Sequence, residues 1–183
     1  MPNYDNCPVI ACKSTPLTAG SVNIITARRL PHDLCCISVF LVDLFKLGIK
    51  DSFGSERLSR PEFNELYEKL IKDYDDSGVE FSDIDIQKAK ELVGRGLKIA
   101  AAVGTPPVDK KLLETIGTID VSAIHGSLYK CYECGEGELS DDDCNRILKV
   151  AKKELALGIA GTPKERKLWL ECDSCKSHSG ELS

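Results

Sequence analysis

Residues 21–45 read "SVNIITARRLPHDLCCISVFLVDLF". Two runs rich in β-branched and aromatic residues, about 21–29 and 34–45, flank "LPHD", and the stretch therefore reads as a β-hairpin. Helical periodicity follows it. In "LSRPEFNELYEKLIKDYDDSG" (58–78), Ser59 stands as an N-cap with Glu62 three residues later, a capping box, and Phe63, Leu66, Tyr67, Leu70, Ile71 and Tyr74 recur as an apolar stripe. "FSDIDIQKAKELVGRGLKIAAAVGTPP" (81–107) repeats the device with Ser82 and Asp85 and stops at Gly104 before two prolines. "VDKKLLETIG" (108–117) adds a short helix ending at Gly117. A hairpin followed by helices predicts an α+β domain over residues 1–120, a β-hairpin or small antiparallel sheet with packed helices, rather than alternating βαβ units.

The chain has 183 residues, of which 42% are hydrophobic and 29% charged. That length accommodates one domain of about 100–150 residues and a small appended module. A net charge of −5 gives no global attraction to phosphate backbones or anionic membranes, so any nucleic-acid contact must come from a local basic patch. No stretch approaches the roughly 18 apolar residues of a membrane span, and "MPNYDNCPVIACKSTP" lacks a basic start followed by an apolar core. These features predict a cytoplasmic protein without membrane partners. Nine cysteines in a reducing compartment are metal ligands before they are disulfides.

Four of the nine form a strong pattern. Cys131 and Cys134 in "CYEC" are separated by 37 residues from Cys172 and Cys175 in "CDSC". A two-residue gap lets both thiolates of a pair reach one ion from a tight turn, and two such turns complete a tetrahedral Zn2+ site. "SLYKC" and "RKLWLEC" approach the pairs as matching apolar-aromatic runs, the layout of a zinc ribbon, and Gly135 and Gly137 suit the turn after the first pair. A redox CxxC instead opens a helix in a βαβ setting, which neither pair does. His178, in "CDSCKSHS", is an alternative ligand whose bland reading is a solvated tail histidine.

Between the pairs, "SDDDCNRILKVAKKELALG" predicts a helix over about 140–158, capped by Ser140, with Asp141, Asp142 and Asp143 in its first turn and Ile147, Leu148, Ala151, Leu155 and Ile159 at helical spacing. Residues 121–183 are thus predicted to be a zinc-ribbon-like module with an inserted helix, in which Cys144 is a small buried hydrophobe. Cys7, Cys12, Cys35 and Cys36 raise the prospect of a second metal site. Adjacent cysteines on a strand point to opposite faces, however, and buried thiols are the simpler reading.

"ARRLP", "VFLVDLFKLGIKDSFG" and "LKIAAAVGTPPVDKKLLETIGTID" together resemble a family of uncharacterised microbial proteins across about residues 20–120. The resemblance excludes the cysteine module, implies one continuous N-terminal domain and carries no chemistry.

Two functional patterns remain. Asp43, Lys50 and Asp51 in "VDLFKLGIKDSFG" could hold a divalent ion and a scissile phosphate, a metal-dependent phosphodiesterase or nuclease reading set against strand-terminating charges that face water. No third carboxylate lies nearby, no phosphate loop or nucleophile elbow occurs, and His32, His125 and His178 are scattered. The second pattern is cationic. Arg146, Lys149, Lys152, Lys153, Lys164, Arg166 and Lys167 fall within 22 residues, with Tyr129 and Trp169 near the knuckles as aromatic platforms. The composition predicts a zinc-stabilised binding protein that contacts nucleic acid or a ribonucleoprotein assembly. A protein-docking adaptor is the alternative, and the bland reading of the cations and aromatics is a solvated helix face with two aromatics in a small core.

Overall fold

A computed structural model describes residues 3–131 and 137–158, together with the backbone of 166–168 and 180–182. The fold is α+β, built on a five-stranded antiparallel sheet. Its strands are β1 (Val9–Ser14), β2 (Ser21–Leu30), β3 (Leu34–Asp43), β4 (Gly48–Ser59) and the two-residue β5 (Ser82–Asp83), in the order β4-β3-β2-β1-β5. The helices are α1 (Arg60–Asp76), α2 (Ile86–Val103), α3 (Lys110–Thr115) and α4 (Asp141–Ala156). A separate antiparallel pair joins β6 (Arg166–Leu168) to β7 (Gly180–Leu182).

The hairpin predicted from residues 21–45 is the centre of the sheet. Its register runs without interruption from Ser21↔Asp43 to Leu30↔Leu34. The turn is tight because His32 and Asp33 both take left-handed backbone, with φ of 62° and 55°. Both faces of the hairpin are covered, which explains its near-continuous apolar sequence. Ile24, Phe40 and Val42 pack on Ala89 and Val93 of α2 and on Ile116. The alternate residues Ile25, Ile37 and Val39 pack on Phe63 of α1, with Tyr67, Leu70 and Ile71 beside it. Each such fully buried side chain contributes about 1.5–3 kcal/mol of transfer free energy.

The sheet is larger than the hairpin. β1 and β4 flank it, and β4 is the long segment that carries Lys50 and Asp51. α1 begins as expected, with the Glu62 carboxylate accepting hydrogen bonds from the Ser59 N–H at 2.7 Å and the Ser59 hydroxyl at 2.6 Å. α2 differs at its start. Ser82 lies in β5, paired with Ser14 of β1, and Asp85 is the N-cap, accepting from the Gln87 N–H at 2.6 Å. Sheet pairing withdraws Ser82 from the capping role. The helix ends in left-handed Gly104, and α4 starts at its Ser140 cap, which accepts from the Asp143 N–H at 3.1 Å.

The thiols outside the CxxC pairs divide among separate parts of the core. Cys12 lies with the α2 layer, Cys35 with the α1 layer, and Cys7 and Cys36 in a small cluster with Tyr4 and Leu30. Cys35 and Cys36 therefore do face opposite sides of β3. Among the described residues no group of three or more His, Cys, Asp or Glu side chains is placed to hold a metal ion.

Candidate metal centre and cationic helix face

The residues that lead into the first CxxC pair are tied down one after another. Gly94 of α2 allows the chain at 119–124 to lie against the helix, since a Cβ there would come within 2.3 Å of Ile124 Cδ1. Arg95, itself buried, donates to the carbonyls of Ser127 at 2.5 Å and His125 at 2.9 Å. Lys98 donates to the carbonyl of Ile124 at 2.7 Å. The Glu138 carboxylate then accepts from the Ser127 N–H, from the Ser127 hydroxyl at 2.5 Å and from the Lys130 ammonium. Partial burial acts to raise the Glu138 pKa, but these donors outweigh it and hold the carboxyl down to about 2.

That latch closes a turn. Lys130 bridges Glu138 in antiparallel fashion, and the Cys131 N–H donates to the Gly137 carbonyl at 3.0 Å. The Lys130 N–H also reaches the Leu44 carbonyl at 3.2 Å, linking the turn to the β3–β4 connection. Cys131 is 4% exposed and belongs to a core cluster with Phe45, Leu47, Ile99, Val103, Ile147 and Ala151. The apolar-aromatic run "SLYKC" thus contributes a single bridge, Lys130 with Glu138, among the described residues. Cys134, Cys172, Cys175 and His178 lie outside the described residues, as do Lys164 and Trp169. By sequence, Cys134 falls within the closure between Cys131 and Gly137, and Cys172 and Cys175 fall between the paired strands β6 and β7.

Tyr129 does not serve as a surface platform. It is 0% exposed beneath α4, and its hydroxyl is buried without a hydrogen-bond partner among the described residues. Burial first, then the nearby Cys144 and Asp43, push its pKa upward. A side chain so enclosed cannot stack on a base, so the expected contact of Tyr129 with nucleic acid is corrected to a core role. Sequence alone does not separate the two roles, because an aromatic near a knuckle suits both.

α4 is amphipathic: of its expected stripe Ile147 and Ala151 are buried, Leu148 and Leu155 are partly buried against the same core, and Ile159 lies outside the described residues. Asp143, Cys144, Ile147, Ala151 and Glu154 are buried. Arg146, Lys149, Lys152 and Lys153 are exposed. At 3.6 residues per turn these four cations span about 120° of the helix surface, opposite the buried side. Arg146 forms an ion pair with Asp143 at 3.0 Å, and the exposed Asp141 and Asp142 lie one turn away. Arg166 and Lys167 lie on β6, where only the backbone is described.

The Asp43 group has a structural occupation. Asp43 is 4% exposed, and its Oδ1 accepts from the backbone N–H groups of Phe45 at 3.0 Å and Lys46 at 2.7 Å. Its Oδ2 lies 3.3 Å from Lys50 Nζ. Asp51 is exposed and caps the adjacent Ser52 N–H at 2.8 Å. One carboxylate thus secures the β3–β4 connection and the other satisfies an edge-strand amide.

Sequence reasoning missed Arg95, Lys98, Ser127 and Glu138, the groups that position Cys131. The only local signal was "VGRGL", an arginine between two helix glycines. No protein-family model, curated protein or solved structure matches this chain.

Proposed function

We propose that this chain is a zinc-stabilised, non-enzymatic binding protein that contacts nucleic acid or a ribonucleoprotein assembly through the outer face of α4. The observation that carries the reading is the exposed arc of Arg146, Lys149, Lys152 and Lys153 on a helix whose opposite side is fixed in the core. A cationic stripe on a rigid support is suited to phosphate contact, and each neutralised phosphate adds counterion release to the affinity.

Cys131, Cys134, Cys172 and Cys175 would hold one structural Zn2+, joining the two ends of the module on either side of α4. Two features support this. Cys131 is buried at the mouth of a closed turn, and the second pair is bracketed in sequence by β6 and β7. Bound zinc would supply a tetrahedral cross-link where a short module has little apolar core of its own. Cys7, Cys12, Cys35, Cys36 and Cys144 are free thiols, which agrees with a reducing, cytoplasmic setting. Among the described residues no helix is long and apolar enough to cross a membrane. The resemblance of residues 20–120 to an uncharacterised microbial family adds no activity to this reading.

The test is fluorescence anisotropy of the full chain with single-stranded and duplex oligonucleotides over a salt series. Binding should weaken steeply with salt, and Lys149→Glu combined with Lys152→Glu should reduce both the affinity and the salt slope. Absent or salt-insensitive binding would reject the phosphate-contact reading. Recovery of a protein partner that survives nuclease treatment would then favour docking.

A further inference from the structure

We infer that β4 is a self-association edge, along which a second copy of this chain extends the sheet in antiparallel fashion about a two-fold axis at Phe53. β4 is the outermost strand of the sheet, and Lys50, Asp51, Phe53 and Gly54 along it are exposed. Phe53 is 46% exposed, a large aromatic on an open strand edge.

The register against β3 shows where the strand is straight. Pairing is regular from Ile37↔Ser55 to Leu41↔Asp51, with irregularities on both sides of that span. The straight window, residues 51–55, is therefore centred on Phe53. The Ser52 N–H donates to the Asp51 side chain, which marks the Ser52 amide as facing away from β3. Exposed charges on an edge strand normally discourage pairing with foreign strands. Here they are complementary to themselves.

Lys50 and Glu56 stand three residues on either side of Phe53. A two-fold axis at Phe53 sets each Lys50 against the partner's Glu56, Ser52 against the partner's Gly54, and the two phenylalanines against one another. Because outward-facing amides must oppose outward-facing amides, the register moves in two-residue steps. A step toward the C-terminus opposes Asp51 to Arg57, and one toward the N-terminus leaves Lys50 opposite Gly54. Of these registers the axis at Phe53 alone sets the two exposed phenylalanines against one another. Each charge has a partner in its own chain and would exchange or share it across the axis. Lys50 is 29% exposed beside Asp43, and Glu56 is 39% exposed at 3.6 Å from Lys111.

Sedimentation velocity on the full chain over a concentration series tests the inference. The expected result is a dimer. Phe53→Glu should leave the circular dichroism spectrum unchanged and raise the dimer dissociation constant at least tenfold, about 1.4 kcal/mol. Glu56→Lys should weaken the dimer similarly, and adding Lys50→Glu in the same chain should restore it. If the swapped chain does not fold, hydrogen exchange on the unaltered chain decides, with amides 51–55 slowing as concentration rises. A monomer up to ~100 µM, a dimer indifferent to Phe53→Glu, a folded swap that does not recover, or concentration-independent exchange would each overturn the inference.

Discussion

The Lys46 ammonium and the Glu154 carboxylate meet at 3.0 Å with only 3% and 5% of their side chains exposed. One belongs to the β3–β4 connection and the other to α4, 108 residues later. This pair lies at the seam where the N-terminal sheet meets the segment beyond residue 120. Around it Phe45 and Leu47 from the β3–β4 connection, Ile99 and Val103 from α2, and Ile147 and Ala151 from α4 form one apolar cluster. The surface that presents the cations of α4 is thus held by packing and by a desolvated ion pair.

Two kinds of substitution separate the contributions at this seam. Lys46→Met alone, or Glu154→Leu alone, leaves an uncompensated buried charge and should lower unfolding stability by about 3–5 kcal/mol. The double replacement removes both charges and should recover most of the loss. Urea denaturation followed by far-ultraviolet circular dichroism measures both, and a double variant as unstable as the singles would show that the pair is not the controlling contact.

Close backbone approach makes a second prediction. Gly48 has φ +80°, and a Cβ there would come within 2.3 Å of the Gly96 carbonyl and 2.5 Å of the Ala100 nitrogen. Gly48→Ala combines left-handed strain with overpacking of backbone on backbone, and should cost roughly 2–5 kcal/mol. Gly78 has a similar φ of +74° but nothing within 4 Å of its hypothetical Cβ. Gly78→Ala should therefore cost only the strain, about 1–2 kcal/mol. Equal shifts in the two denaturation midpoints would mean that the β4–α2 crossing can relax.

Much of this architecture was legible because periodicity is local. The 21–45 hairpin, the Ser59–Glu62 box and the α4 stripe each repeat within a few residues, and each formed as the spacing required. β4 was less legible because "GIKDSFGSERLS" carries two glycines and four charges, the composition of an exposed edge rather than a covered strand. Ser82 and Asp85 are equally good caps in sequence, and only pairing with β1 chooses between them. Tyr129 and the Lys46–Glu154 pair depend on contacts across long separations, which no local pattern encodes. Of the four CxxC thiols, Cys131 alone falls on described residues.

A pH experiment probes the N-terminal tether. The Asp5 carboxylate accepts from Lys90 Nζ at 2.7 Å, the Thr118 N–H at 3.0 Å and the Thr118 hydroxyl at 2.5 Å. The hydrogen bonds from Lys90 and then Thr118 hold its pKa well below the ordinary 3.8. A carboxylate depressed in the folded state contributes fully above its unfolded value, and its contribution fades as pH falls below about 4. Asp5→Asn should therefore lower stability at neutral pH and converge with the parent chain as the solution is acidified below that point. Parallel curves for the two proteins, measured as thermal midpoints across that range, would deny Asp5 this role.

The zinc assignment makes the most consequential prediction, because it joins residues far apart in the chain. Protein purified without chelator should carry close to one zinc per chain by elemental analysis, since four thiolates complete one tetrahedral ion. Cys131→Ala and Cys172→Ala should each release it, whereas Cys144→Ala, which alters a thiol on the buried face of α4, should retain it. Chelation should loosen residues 127–139 first, since Cys131 ends the chain of contacts from Arg95 through Ser127 and Glu138. The sheet, whose core layers lie elsewhere, should keep its slow hydrogen exchange. A metal-free protein with normal stability, or zinc retained after Cys131→Ala, would remove the metal from this fold and leave the closed turn at Cys131 as a purely packed structure.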